Sequence, residues 1–90
     1  MEVTTKVTVL NRLGLHLRAA VRLVTASSKF KCRIILRNGV READCKSILN
    51  LIALAAPQGA EVTILFEGED AEKARDTILN LFATRFGESS

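Results

Sequence analysis

The chain has 90 residues, enough for a single two-layer core and too few for a second domain or a deep internal cleft, so residues 1–90 are expected to form one domain. Thirteen Lys and Arg against ten Asp and Glu give a formal charge of +3, a mild excess that suits acidic protein partners better than nucleic acid. No apolar run approaches the roughly 20 residues that span a bilayer, and Met1 to Leu10 alternates instead of showing a charged start and an apolar block, so no membrane insertion and a cytoplasmic location are expected.

The segment VTTKVTVL (3–10) is rich in β-branched residues and alternates, with Val7 and Val9 on one side and Lys6 and Thr8 on the other, the pattern of a half-buried strand. From Leu17 to Phe30 the period changes: Ala20, Leu23, Val24 and Ser27 share one face, with Arg18, Arg22 and Thr25 elsewhere on the surface of a helix. CRIILR (32–37) and VREADC (40–45) flank Asn38-Gly39 and predict a hairpin with Ile34, Leu36, Ala43 and Cys45 on one side. A turn at Asn38-Gly39 brings Cys32 opposite Cys45; a turn at Gly39-Val40 puts Ile34 opposite Cys45 and leaves the thiols diagonal. Reduced thiols are expected either way, and two cysteines with one histidine make no plausible zinc site, so neither metal nor cofactor is expected.

KSILNLIALAAPQG then predicts a short helix capped by the Ser47 hydroxyl and stopped by Pro57 and Gly59. AEVTILFE (60–67) alternates strictly, with Val62, Ile64 and Phe66 facing the core. The last helix, within 68–86, opens with acidic residues, takes Asp70 as its cap, and runs through Ala74, Ile78, Leu81 and Phe82, leaving GESS as a frayed tail. The order βαββαβα predicts an α+β open-faced sandwich with the helices on one face of a largely antiparallel sheet.

Two stretches can carry chemistry. In NRLGLHLRAA (11–20) the only histidine, His16, falls at a helix N-terminus, where unpaired amides and the positive end of the macrodipole favour anions. A neutral imidazole has a lone pair able to attack phosphorus, and the Arg18 guanidinium can grip phosphate oxygens in a fork. The competing reading is a surface histidine with a capping role only. No carboxylate lies within six positions, so triad chemistry has no local support. In CKSILNLIALAA (45–56) a two-turn helix cannot bury all its apolar residues. With Leu51 and Leu54 against the sheet, Ile48, Leu49 and Ile52 form an outward docking patch; a deeper core or a homodimer seam is the alternative.

Those residues resemble the HPr family, the histidine phosphocarriers of the phosphoenolpyruvate-dependent sugar phosphotransferase system. N-R-L-G-L-H-L-R-A-A is similar to the family's active-site segment, K-S-I-L (46–49) to the segment around its regulatory serine, and G-A-E-V-T-I followed by G-E-D-A to its last strand and helix start. The resemblance spans essentially the whole chain. It implies a four-stranded antiparallel sheet of order 1-4-2-3 carrying three helices on one face, and a phosphoryl group accepted by His16 Nδ1 from the system's first enzyme and passed to sugar-specific or regulatory acceptor domains. It further implies stabilisation by Arg18 and by the amides of Leu17 and Arg18, phosphorylation of Ser47 by an HPr kinase, and a partner interface of Leu17, Ile48, Leu49 and Ile52. The protein is then a monomeric carrier, a substrate of phosphotransferases rather than a turnover catalyst. Ala19 stands where the family commonly has proline, and Leu17 where a small residue is usual; a bulky Leu17 could narrow the choice of partners.

Two other functions are weighed against this one. A regulatory module could act through Ser47 and its patch without cycling His16. A sheet that binds single-stranded RNA would need aromatic stacking pairs, and the chain has four Phe and no Trp or Tyr.

Overall fold

A computed structural model describes residues 1–90. Strand β1 (Glu2–Thr8) leads to helix α1 (Leu17–Ser27), the hairpin β2 (Arg33–Asn38) and β3 (Arg41–Asp44), helix α2 (Ile48–Leu54), strand β4 (Glu61–Glu67) and helix α3 (Ala71–Ala83), after which a single 3-10 turn occupies Arg85–Gly87. The sheet order is β1-β4-β2-β3 and every neighbouring pair is antiparallel. Alternation decides the faces: Ile34, Leu36, Val62, Ile64 and Phe66 are buried with Leu23, Leu51, Ile78 and Phe82 of the three helices, while Thr4, Lys6 and Arg37 stand on the open face.

The hairpin takes the second of the two registers open to it. Asn38 pairs with Arg41, Leu36 with Ala43, and the Cys45 amide donates to the Ile34 carbonyl at 2.9 Å. Gly39 supplies the left-handed residue at the first central position, with φ 64°, so Asn38 stays extended in the strand. Cys32 and Cys45 are therefore diagonal neighbours, both free and both buried. Burial in apolar surroundings pushes Cys45 up to about 12. Burial, then the Asp70 carboxylate, pushes Cys32 to about 11, so neither thiol has thiolate character near neutrality.

Helix ends depart from expectation for physical reasons. α1 stops at Ser27 rather than Phe30, with the Ser28 amide closing onto the Val24 carbonyl. α2 ends at Leu54, three residues before Pro57, because Ala55 adopts the left-handed conformation (φ 52°) and its amide reaches the Leu51 carbonyl. Asp70 stands at the N-cap position of α3 without capping it. Its carboxylate instead accepts from the amides of Lys31 and Cys32, at 2.8 and 2.9 Å, tying the α1–β2 connection to the base of α3.

The chain beyond α3 is the largest departure. Arg85 and Phe86 both have positive φ, 56° and 55°, and this reverses the backbone so that Phe86 turns back into the core against Phe82, ring centroids 4.8 Å apart. Non-glycine residues in this region cost on the order of 1–3 kcal/mol each. The cost is offset by burial of the Phe86 ring and by polar contacts that the following residues make with the loop before α1.

Candidate functional site

Two tethers fix the loop between β1 and α1. Leu15 donates its amide to the Ala56 carbonyl at 3.0 Å, and Gly14 sits against the same turn with φ 66°. A Cβ at Gly14 would lie 2.5 Å from the Ala56 oxygen, so only glycine allows the loop to approach this closely. Asn11 is fully buried beneath the loop, where its Nδ2 donates to the Gly14 carbonyl at 2.7 Å and to Glu88 Oε1 at 3.0 Å. Its Oδ1 accepts no hydrogen bond, yet turning the amide over would point that oxygen at two acceptors, which fixes the side chain as it stands.

His16 is itself the N-cap of α1. Its backbone is extended (φ −74°, ψ 178°) and its Nδ1 accepts from the Arg18 amide at 3.3 Å, the position that a serine or aspartate oxygen usually fills. Nε2, on the other edge of the ring, contacts Glu88 Oε2. The hydrogen-bond network assigns the tautomer twice over: a backbone N–H can only donate, so Nδ1 carries the lone pair, and a carboxylate can only accept, so Nε2 carries the proton. The ring is held at both edges, with a quarter of its side chain still open to solvent.

This setting stabilises the charged form of Glu88 further. Burial raises its carboxyl, but hydrogen bonds from Asn11 and His16, together with the nearby Arg18 charge, outweigh that and hold it below the usual carboxylate range. Arg22 of α1 anchors the same segment by donating from Nη1 to the Phe86 carbonyl, and the Arg12 amide donates to the Ser90 carbonyl at 3.0 Å. Residues 86–90 are thus docked beside His16 rather than frayed.

The other residues singled out in the sequence fall into two groups. Leu17 and Arg18, in the first turn of α1, are exposed, and Arg18 enters no ion pair within the protein. Ser47 caps α2, its Oγ accepting from the Asn50 amide at 3.3 Å, while Ile48, Leu49 and Ile52 are exposed and Leu51 and Leu54 are buried. The patch is therefore not part of a deeper core. α2 packs beside α1, where Leu17 and Val21 are exposed as well. No cluster of three or more His, Cys, Asp or Glu is placed to hold a metal ion.

Asn11, Arg22 and Glu88 were not picked out as site residues in the sequence. Asn11 lies in the quoted loop motif and Arg22 one turn beyond Arg18, so both are near a local signal; Glu88 lies 72 positions from His16 and has none.

Residues 3–84 match the model of the PTS HPr component phosphorylation site family. The chain belongs to the HPr family of phosphocarrier proteins. It is similar to the phosphocarrier protein HPr of Cupriavidus necator, with 40% identity over 90% of this chain and 91% of that one. It is also similar to the phosphocarrier protein NPr of Shewanella violacea, with 39% identity over 94% of this chain and 93% of that one. Among solved structures, HPr-C-His from Thermoanaerobacter tengcongensis superposes with a TM-score of 0.93 at 31% identity, covering 98% of this chain and 99% of that one. The sheet order 1-4-2-3 with three helices is thus the HPr arrangement. Within this HPr-family chain Ala19 is fully buried, so the position usual for proline serves packing here, whereas Leu17 projects to solvent beside the ring.

Proposed function

We propose that His16 Nδ1 is the atom on which this HPr-family carrier takes and gives its phosphoryl group. The observation that carries the reading is the two-edged hold on the imidazole, lone pair at Nδ1 and proton at Nε2. In the forward step Nδ1 attacks the phosphorus of a phosphohistidine on the first enzyme; a P–N bond forms at His16 as the donor's P–N bond breaks, and the electron pair returns to the donor imidazole. No proton need move, since Nε2 keeps its own. The positive charge that develops on the ring is met by the Glu88 carboxylate, already ionised and already in contact. The phosphoryl oxygens replace Nδ1 as acceptor for the Arg18 amide at the helix N-terminus, and the Leu17 amide and the Arg18 guanidinium supply further donors. The reverse step, to sugar-specific or regulatory acceptor domains, uses the same contacts in the opposite order, so the protein is consumed and regenerated as a substrate rather than acting as a turnover catalyst.

Ser47 is the proposed regulatory site. A phosphate there stays favourable for the helix end but adds nearly two negative charges beside Ile48, Leu49 and Ile52, which with Leu17 form the proposed partner interface. The exposure of the patch and its position beside α1 support a single docking side for donor, acceptors and an HPr kinase. Residues 1–90 then work as one monomeric phosphocarrier unit in the cytoplasm, without a cofactor. Incubation with phosphoenolpyruvate and a cognate first enzyme should add one acid-labile phosphoryl group that His16→Ala abolishes. Label that survives acid and maps to Ser47 alone would instead make the protein a regulatory module.

A further inference from the structure

A cleft of about 350 Å³ lies between the start of α1, the loop before it and the docked tail. Its walls are arginines: Arg12 from the loop, and Arg18 and Arg22 one turn apart on α1, with Glu88, Ser89 and Ser90 opposite. Three arginines elsewhere meet acids, Arg33 with Glu67, Arg37 with Glu42 and Arg75 with Asp76, whereas none of the three arginines gathered in the cleft has an ion pair. The one side-chain carboxylate in the wall, Glu88, offsets only one of these three charges, and its oxygens are turned to Asn11 and His16. Arg22 meets a backbone carbonyl, which neutralises nothing, and the Arg12 side chain makes no hydrogen bond within the protein.

We infer that this cleft is a second anion site, distinct from the phosphoryl position on Nδ1, and that it takes a small phosphorylated molecule bearing a second anionic group. Guanidinium forks match phosphate oxygens two at a time, and three such cations with one internally engaged acid leave charge for more than a single monoanion. The space is at the lower end of small-molecule pockets, which favours a compact ligand over a peptide. The serines opposite can complete the cradle with hydroxyl donors. Because Arg18 lines both positions, occupancy of the cleft would compete for the guanidinium that the transferred phosphoryl group needs. The binding claim itself stands on the cleft alone, whether or not His16 accepts a phosphoryl group.

Inorganic pyrophosphate, inorganic phosphate and sulfate are titrated into the whole protein at about 0.1 M salt, where long-range attraction between exposed charges is largely screened. Saturable one-to-one binding of pyrophosphate, at least tenfold tighter than sulfate, is expected. Arg12→Gln, which breaks no internal contact, and Arg22→Gln should each weaken it about fivefold or more by removing a charge-assisted donor, while Arg75→Gln on α3 should not change it. Equal affinity for sulfate and pyrophosphate, no saturation, or binding unchanged in both cleft variants overturns the site. Acid-labile labelling of the same Arg12→Gln preparation reports on His16 separately, so failure of one reading is not mistaken for failure of the other.

Discussion

The starts of α1 and α2 use one backbone device with two different caps. Each helix begins on an extended residue whose side chain accepts from an amide in the first turn, and neither first turn contains an acid. At α2 the acceptor is a hydroxyl, a weak nucleophile, with an apolar rim of Ile48 and Leu49. At α1 it is an imidazole nitrogen whose partner nitrogen faces a carboxylate, with three arginines nearby. Under the proposed function, the same orphan amides serve an intrinsically reactive group at one helix and a group that would need an outside kinase at the other. The chemistry of the cap residue and of its second neighbour, not the helix dipole, separates the two sites.

The sharpest way to break the comparison is to exchange the caps' reactivity. His16→Ala should remove all acid-labile phosphoryl acceptance, measured by labelling with phosphoenolpyruvate and the first enzyme, whereas Ser47→Ala should retain it. An alanine that still accepted label would locate the chemistry elsewhere. A smaller loss is expected from Glu88→Ala, which leaves Nδ1 in place but frees the ring and its tautomer: acceptance should slow about tenfold, the scale of one lost hydrogen bond to a charged group. A rate equal to that of the unaltered protein would mean that the carboxylate is a bystander.

These two substitutions also separate what was legible in the sequence from what was not. The sheet, the three helices and the placing of His16 at a helix start follow from local rules, because alternation and the 3.6-residue period depend on near neighbours. Even the hairpin was nearly determined, since the two candidate turns differ by a register shift of two residues, which keeps Leu36, Ala43 and Cys45 on the core face and is therefore silent in the hydrophobic pattern. Asp70 was misread because a cap preference says which residue is available and not which amides compete for it; those of Lys31 and Cys32 did. The docked tail was out of reach altogether. Two left-handed non-glycine residues, Arg85 and Phe86, carry no turn signature, and GESS has no periodicity to announce that Glu88 meets a histidine at the other end of the chain.

At α2 the expected effects are in stability and affinity rather than in chemistry. Ser47→Ala loses the cap and should cost about 1 kcal/mol, read as a lowered midpoint in denaturant. Ser47→Asp keeps an acceptor for the Asn50 amide, so it should hold stability while weakening binding to the first enzyme several-fold by placing charge beside the apolar patch. If both variants bound the first enzyme like the parent, the patch beside Ser47 would not be the docking side.

The smallest effect concerns acid, and its sign follows from Glu88. Its carboxyl sits below the ordinary carboxylate range in the docked tail and returns to that range when the tail is free, so the free tail binds more protons. Docking strength from Glu88 is therefore fully present above the ordinary carboxylate pKa and is lost as pH falls from there through the depressed value. Between pH 6 and 8 this carboxylate changes nothing, because it is ionised in both states. Acidification below about pH 4.3, the reference value for a free glutamate, should loosen residues 86–90 before the core melts. Phe86 is held there by its own burial, but the contacts of Glu88 with Asn11 and His16 weaken once the carboxylate is neutral. Amide exchange at Gly87 and Glu88, whose N–H groups bond to Thr84 and Arg85, reports the loosening directly. Glu88→Gln, uncharged at every pH, should show that faster exchange already at neutrality and lose the acid step. A step of the same size in the glutamine variant would assign the titration to another group and leave the carboxylate no part in holding the tail against His16.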